Sequence, residues 1–261
     1  MDILPILNEV FAINPNREEN RALFKHGINW LWAVTGIHIV TFLTILALCF
    51  FIPSNKRVFN YLFTVAVLVG SVSYYGQAAT TTLFFARYAN WLVTFPSLAL
   101  ALGLASGVSW TTIACNMAIS WLWILPYLTA ALTLTSYKWG FFAFGTVSYI
   151  ILAMSTLNES YEEAERRGIG RDYKFLSRYV NFLWFLYPIA FGISDGGHVV
   201  SRTVGSIIFG VLDVLLLPVF AVLFIYLSNE WDWHRLDLDF SAYRRYSDRD
   251  MEAALGYGGS R

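Results

Sequence analysis

The sequence predicts an all-α membrane protein, a seven-transmembrane-helix bundle, and three observations carry that expectation. Of its 261 residues, 57% are hydrophobic and 14% charged, with 10 Trp, 15 Tyr and 21 Phe, and the mean hydropathy is +0.52. That is more apolar surface than a soluble domain of this length can bury. Apolar runs long enough to cross a bilayer as helices recur seven times, over 30–52, 58–79, 83–106, 111–135, 139–157, 176–193 and 204–227. The polar residues between them fall into short connections, apart from 158–174 and the two ends.

The residues before the first run show no basic stretch and small-residue cleavage site, so a removed leader is not expected. The fifth run meets "NESYEEAERRGIGRDYK", where Glu162 with Arg166 and Glu163 with Arg167 offer i,i+4 pairs. Gly168 is a natural helix stop there, so the fifth helix is expected to extend beyond the membrane.

Basic residues set the orientation. With the amino terminus outside, the inner segments hold Lys56, Arg57, Arg166, Arg167, Arg171, Lys174, Arg178, Arg235, Arg244, Arg245, Arg249 and Arg261. The outer segments then hold Arg17, Arg21, Lys25, Lys138 and Arg202, and Arg87 stays in the membrane. The positive-inside rule therefore places the N-terminus outside and the C-terminus inside. The chain divides into an extracellular segment 1–28, a seven-helix domain 29–228 and a cytoplasmic tail 229–261. The sequon Asn158-Glu-Ser160 then faces the cytosol and is not glycosylated.

Several function classes are excluded. A formal net charge of zero, with no basic stripe, excludes nucleic-acid binding. The histidines His26, His38, His198 and His234 are scattered, with no ligand-pair spacing, so no metal-dependent enzyme is indicated. His38 reads as a satisfied core residue, and Cys49 and Cys115 lie in apolar runs as packing residues. In the tail, "EWDWHRLDLDF" places Trp231 and Trp233 where an interfacial aromatic belt belongs, and "RRYS" at 244–247 suits a basophilic kinase.

One residue does not fit a simple bundle. Asp213 interrupts "GVLDVLLLPVF", and a carboxylate inside a membrane helix needs a partner or a polar cavity. Read together, "ARYANWLVTFPSLALAL", "WFLYPIAFGISDGG" and "GVLDVLLLPVF" resemble the third, sixth and seventh spans of microbial (type I) rhodopsins, and among those the fungal branch. The resemblance covers roughly residues 27 to 228 and implies the type I rhodopsin fold.

In that family a lysine four residues after the span-seven aspartate carries retinal as a Schiff base. The corresponding residue here is Leu217, which has no amine, so no retinal cofactor is expected. Where family pumps carry a carboxylate in span three this chain has Asn90, and where many keep a proton donor it has Ala101, so proton pumping is not expected either. The resemblance places Tyr127 where retinal binders have glycine and Trp123 where they have a less bulky residue, so a filled pocket is expected. Trp91, Trp184, Tyr187 and Trp139 match the aromatic cage around the chromophore, with Phe191 at a position where Trp is usual. Thr94 belongs to the same vestigial pocket. Arg87 and Asp213, which face one cavity in the family, are expected to form an ion pair, direct or water-bridged.

"FKHGINWLWAV" and "SDGG" resemble fungal opsin-related proteins, retinal-free relatives that include stress-induced heat-shock membrane proteins of yeasts. The resemblance implies a non-enzymatic plasma-membrane protein with a chaperone-like action or an effect on the proton-pumping ATPase. Its partners would be membrane lipids, that ATPase or another membrane protein, and a homo-oligomer is compatible with it. The alternative is an opsin-like photosensor or ion transporter that binds retinal, or another apolar ligand, non-covalently.

Overall fold

The computed structural model describes residues 21–52, 57–80 and 85–231. They form seven helices: α1 (Arg21–Phe51), α2 (Val58–Thr80), α3 (Ala86–Ser106), α4 (Trp110–Leu132), α5, α6 (Gly170–Ile193) and α7. Helix α5 begins as Lys138–Met154, passes through a π-helical stretch at Ser155–Glu159 and ends as Ser160–Arg166. Helix α7 is built the same way, from Arg202–Val214, a π-helical stretch at Leu215–Val219 and Phe220–Ser228.

Each helix packs against the next and α7 returns to α1, closing a ring. Helix α3 stands innermost, with most of its residues buried, and it also touches α6 and the end of α5. Six of the helices are long and apolar enough to cross a membrane. The other, α6, has 24 residues, a length of about 36 Å that suffices to span. Its basic first turns and the inward Asn181, Trp184 and Tyr187 lower its hydropathy.

The outer faces carry Val40, Leu43, Val72, Phe144 and Phe182, all more than half exposed. A continuous apolar belt of this kind is stable against lipid tails and not against water. Helix ends are finished locally: the hydroxyls of Ser109 and Ser201 accept from the N–H groups of Thr112 and Val204, capping α4 and α7.

As the sequence suggests, α5 runs on to Arg166, and Gly168, at φ 83°, ends it in the left-handed conformation that glycine tolerates. The charge pairing differs from expectation. Arg166 bonds Glu163 at 2.7 Å, one residue nearer than the anticipated Glu162, because i,i+3 neighbours also share a face. Arg167 reaches across to α3 and donates to the Gly107 carbonyl at 3.1 Å.

Trp231 is 5% exposed, so it is not a belt residue. Its indole N–H donates to Asp172 at 3.1 Å and its ring meets Phe59 and Phe224 edge-on, plugging the bundle end. Trp233 and "RRYS" lie outside the described residues.

Candidate functional site

Helical periodicity builds the site. On α3, Arg87, Asn90, Trp91, Thr94 and Phe95 follow the i, i+3, i+4, i+7, i+8 pattern that makes one stripe, and all are buried. Trp184, Tyr187 and Phe191 make the matching stripe on α6, Trp123 and Tyr127 that of α4, and Phe209, Asp213 and Leu217 that of α7. Four faces therefore meet at one centre.

Aromatic rings occupy that centre. Phe95 lies 4.9 Å from Trp123, 5.1 Å from Tyr187, 5.8 Å from Trp184 and 5.9 Å from Trp91, ring centre to ring centre. Tyr127 lies 4.7 Å from Phe191 and 5.2 Å from Phe142, and Phe142 stacks on Phe191 at 5.5 Å. These are contact distances for aromatic pairs, so the rings pack directly on one another. Tyr127 fits because residue 145 is glycine: a Cβ there would stand 2.6 Å from its ring. Its hydroxyl bonds the Thr146 hydroxyl at 2.8 Å.

Trp139 is not in this cluster. It sits in the first turn of α5, 43% exposed, and only its edge meets Phe142. Phe142, one turn deeper, joins the cluster instead, stacking on Tyr127.

A direct ion pair between Arg87 and Asp213 is not formed. The Arg87 guanidinium pairs with Asp195 at 3.1 Å, approaches the Ser206 hydroxyl at 3.5 Å and lies 4.4 Å over the Phe209 ring. Tyr88 donates to the same Asp195 oxygen at 2.7 Å. Asp213 instead accepts from the Tyr74 and Tyr187 hydroxyls, each at 2.5 Å, and from the Trp91 indole N–H at 2.9 Å. Three neutral donors surround a group that can accept at both oxygens, so the carboxylate is satisfied without a cation. There are two polar centres, with Arg87 and Trp91 one α3 turn apart leading to each.

Asn90 is held locally, accepting from the Thr94 hydroxyl at 3.0 Å. His38 is buried, but it is only partly satisfied: its Nδ1 donates to the Val34 carbonyl at 2.9 Å and its ring stacks on Tyr74, while its buried Nε2 has no hydrogen-bond partner among the described residues. Leu217 is 1% exposed and lies within the π-helical stretch. Pro218 has no N–H and its ring presses on the carbonyl one turn back, which a wider turn relieves. The Tyr179 hydroxyl donates to the Leu215 carbonyl in that stretch at 2.9 Å.

A family model described as bacteriorhodopsin-like protein matches residues 27–231. The chain belongs to the bacteriorhodopsin-like family. Protein FDD123 of Trametes versicolor is 31% identical over 93% of this chain and 89% of its own length. Opsin-like protein carO of Fusarium fujikuroi is 27% identical, covering 88% and 84%. The 30 kDa heat shock protein of Saccharomyces cerevisiae is 24% identical, covering 95% and 86%. The fold matches a light-driven proton pump of Leptosphaeria maculans with a TM-score of 0.77, covering 81% of this chain and 97% of that one at 24% identity. This bacteriorhodopsin-like protein is thus an opsin-related membrane protein with fungal relatives.

Two separate polar centres make a quantitative prediction for a bacteriorhodopsin-like bundle. Arg87→Met and Asp195→Asn should each destabilise by about 1 to 3 kcal/mol, and together by clearly less than their sum, because each single change leaves a buried charge unpaired. Arg87→Met combined with Asp213→Asn should come closer to additivity than the Arg87/Asp195 pair, because no direct hydrogen bond joins them. Thermal melts in detergent read both cycles.

Proposed function

We propose that the protein is a retinal-free opsin-related protein of the plasma membrane, which neither pumps protons nor senses light and acts by associating with other membrane components. The observation that carries this reading is Leu217. It is a buried alkyl side chain in a π-helical stretch, and by the sequence resemblance it corresponds to the Schiff-base lysine of the rhodopsin family. The aromatic packing of Phe95, Trp123 and Tyr127 supports it, since these rings fill the space between α3, α4 and α6. Asn90 and Ala101, at the positions of a pump's proton acceptor and donor, support the loss of transport.

A stress-associated role rests on the kinship with the yeast 30 kDa heat shock protein, whose name ties that relative to heat stress. Chaperone-like action and modulation of a proton-pumping ATPase are the two forms of that role. Isolation in mild detergent from stressed cells is expected to retain a membrane protein in fixed stoichiometry. A chain that consistently emerges alone would contradict the association. In liposomes supplied with all-trans retinal, illumination should leave the internal pH unchanged, and a light-driven pH change would overturn the reading.

The orientation belongs to the same proposal. Protease added outside intact cells should spare the 158–174 connection and the carboxyl-terminal tail, because the basic residues hold both inside. External cleavage at Arg166 or Arg245 would reverse the topology.

A further inference from the structure

The outer side of α6 carries a feature unrelated to the bundle centre. Arg171, Lys174 and Arg178 recur at spacings of three and four residues, so they stand on one exposed face of the helix's first turns. Arg171 is engaged by Asp172 at 3.4 Å. Among the described residues, Lys174 and Arg178 pair with no carboxylate, and the Lys174 ammonium lies 5.4 Å over the Tyr161 ring. On the same face and further into the apolar belt stand Phe175, Tyr179 and Phe182, with Phe175 and Phe182 more than half exposed.

These six residues bound an open groove of about 450 Å³. A second hollow of about 210 Å³ is lined by Leu157, Tyr161, Lys174, Ser177 and Arg178. Lys174 and Arg178 border both. The arrangement is therefore amphipathic: two uncompensated cations, a small hollow with two hydroxyl-bearing side chains on one side, and an aromatic wall reaching down the belt on the other.

We propose that this face binds an anionic phospholipid. Its phosphate sits between Lys174 and Arg178, its headgroup enters the smaller hollow, and one acyl chain lies along Phe175, Tyr179 and Phe182. Charge complementarity selects an anionic headgroup over a zwitterionic one, since each basic residue near a membrane surface favours the anion. The aromatic wall selects a lipid over a free phosphate, which would leave that surface uncovered.

Native mass spectrometry of the purified full chain, with phosphatidylserine and phosphatidylcholine added in equal amounts, tests this. The unaltered protein should retain phosphatidylserine preferentially. Lys174→Gln with Arg178→Gln should weaken that retention by about tenfold to thirtyfold. Lys138→Gln with Arg202→Gln, which removes two charges at the other end of the bundle, should leave it unchanged. Phe175→Ala with Phe182→Ala keeps every charge and should still lower retention, as general attraction to a positive surface would not. Inorganic phosphate and glycerophosphoserine should not displace the lipid. Equal retention of phosphatidylcholine, an equal loss in the Lys138/Arg202 variant, full retention in the phenylalanine variant, or displacement by free phosphate would each overturn the proposal.

Discussion

Asp213→Ala should lower the stability of the bundle by about 2 to 4 kcal/mol, because it strands the hydroxyls of Tyr74 and Tyr187 and the indole N–H of Trp91 in the buried centre. Hydrogen bonds between membrane helices average only about 0.6 kcal/mol each, so lost attraction alone accounts for about half of this. The remainder is the cost of three donors with no acceptor in an apolar interior. That origin has a signature. Tyr74→Phe should cost about 1 kcal/mol in the unaltered protein but nearly nothing in the Asp213→Ala background, where the hydroxyl has already lost its acceptor. Melting curves of the two singles and the double variant decide it. Full additivity would mean that the tyrosine does not serve the carboxylate.

Restoring the amine should not by itself restore a pigment. With all-trans retinal, Leu217→Lys is expected to give less than roughly a tenth of full chromophore loading, for two reasons that can be separated. Asn90 adds no negative charge, and Asp213, already accepting three hydrogen bonds, is the carboxylate left to balance a protonated Schiff base. On the proposed reading, the packed rings of Phe95, Trp123 and Tyr127 would also obstruct a polyene and its ring. Adding Phe95→Ala and Tyr127→Gly opens a cavity at a cost of about 3 to 5 kcal/mol per large aromatic removed. That variant should be unstable alone and be stabilised by bound retinal. Adding Asn90→Asp should then shift the bound retinal to a protonated, red-shifted form. Full pigment from Leu217→Lys alone would show that the linkage was lost while the pocket was kept.

The α3 stripe was readable in advance because Arg87, Asn90, Trp91 and Thr94 fall at helical spacing in one run. Phe95 completes that stripe and was open to the same logic, yet an aromatic among many aromatics carries no mark of being the one that fills a cavity. Tyr74 and Tyr75 show the limit plainly. Adjacent residues on a helix point about 100° apart, and a sequence with tyrosine at both cannot say which faces inward. In the structure Tyr74 is 1% exposed and Tyr75 54%.

Asp195 carries no mark in the sequence, because it stands in the "SDGG" turn after α6 and charge pairing between elements distant in sequence leaves no local periodicity. The displacement of Trp139 by Phe142 has a similar cause. The two residues are three apart and share a face, and only the depth at which α5 begins decides which one reaches the centre. The fold itself was legible because it depends on span length and hydropathy, which are properties of composition over about 20 residues.

The central claim, that Leu217 and the packed rings of the bundle centre leave no place for retinal, is tested most directly by the absorption spectrum of the unaltered purified protein after incubation with all-trans retinal, followed by borohydride reduction. The account predicts the spectrum of free retinal alone, with no new visible band and no reduced adduct on the chain. A red-shifted band that survives removal of free retinal would contradict it.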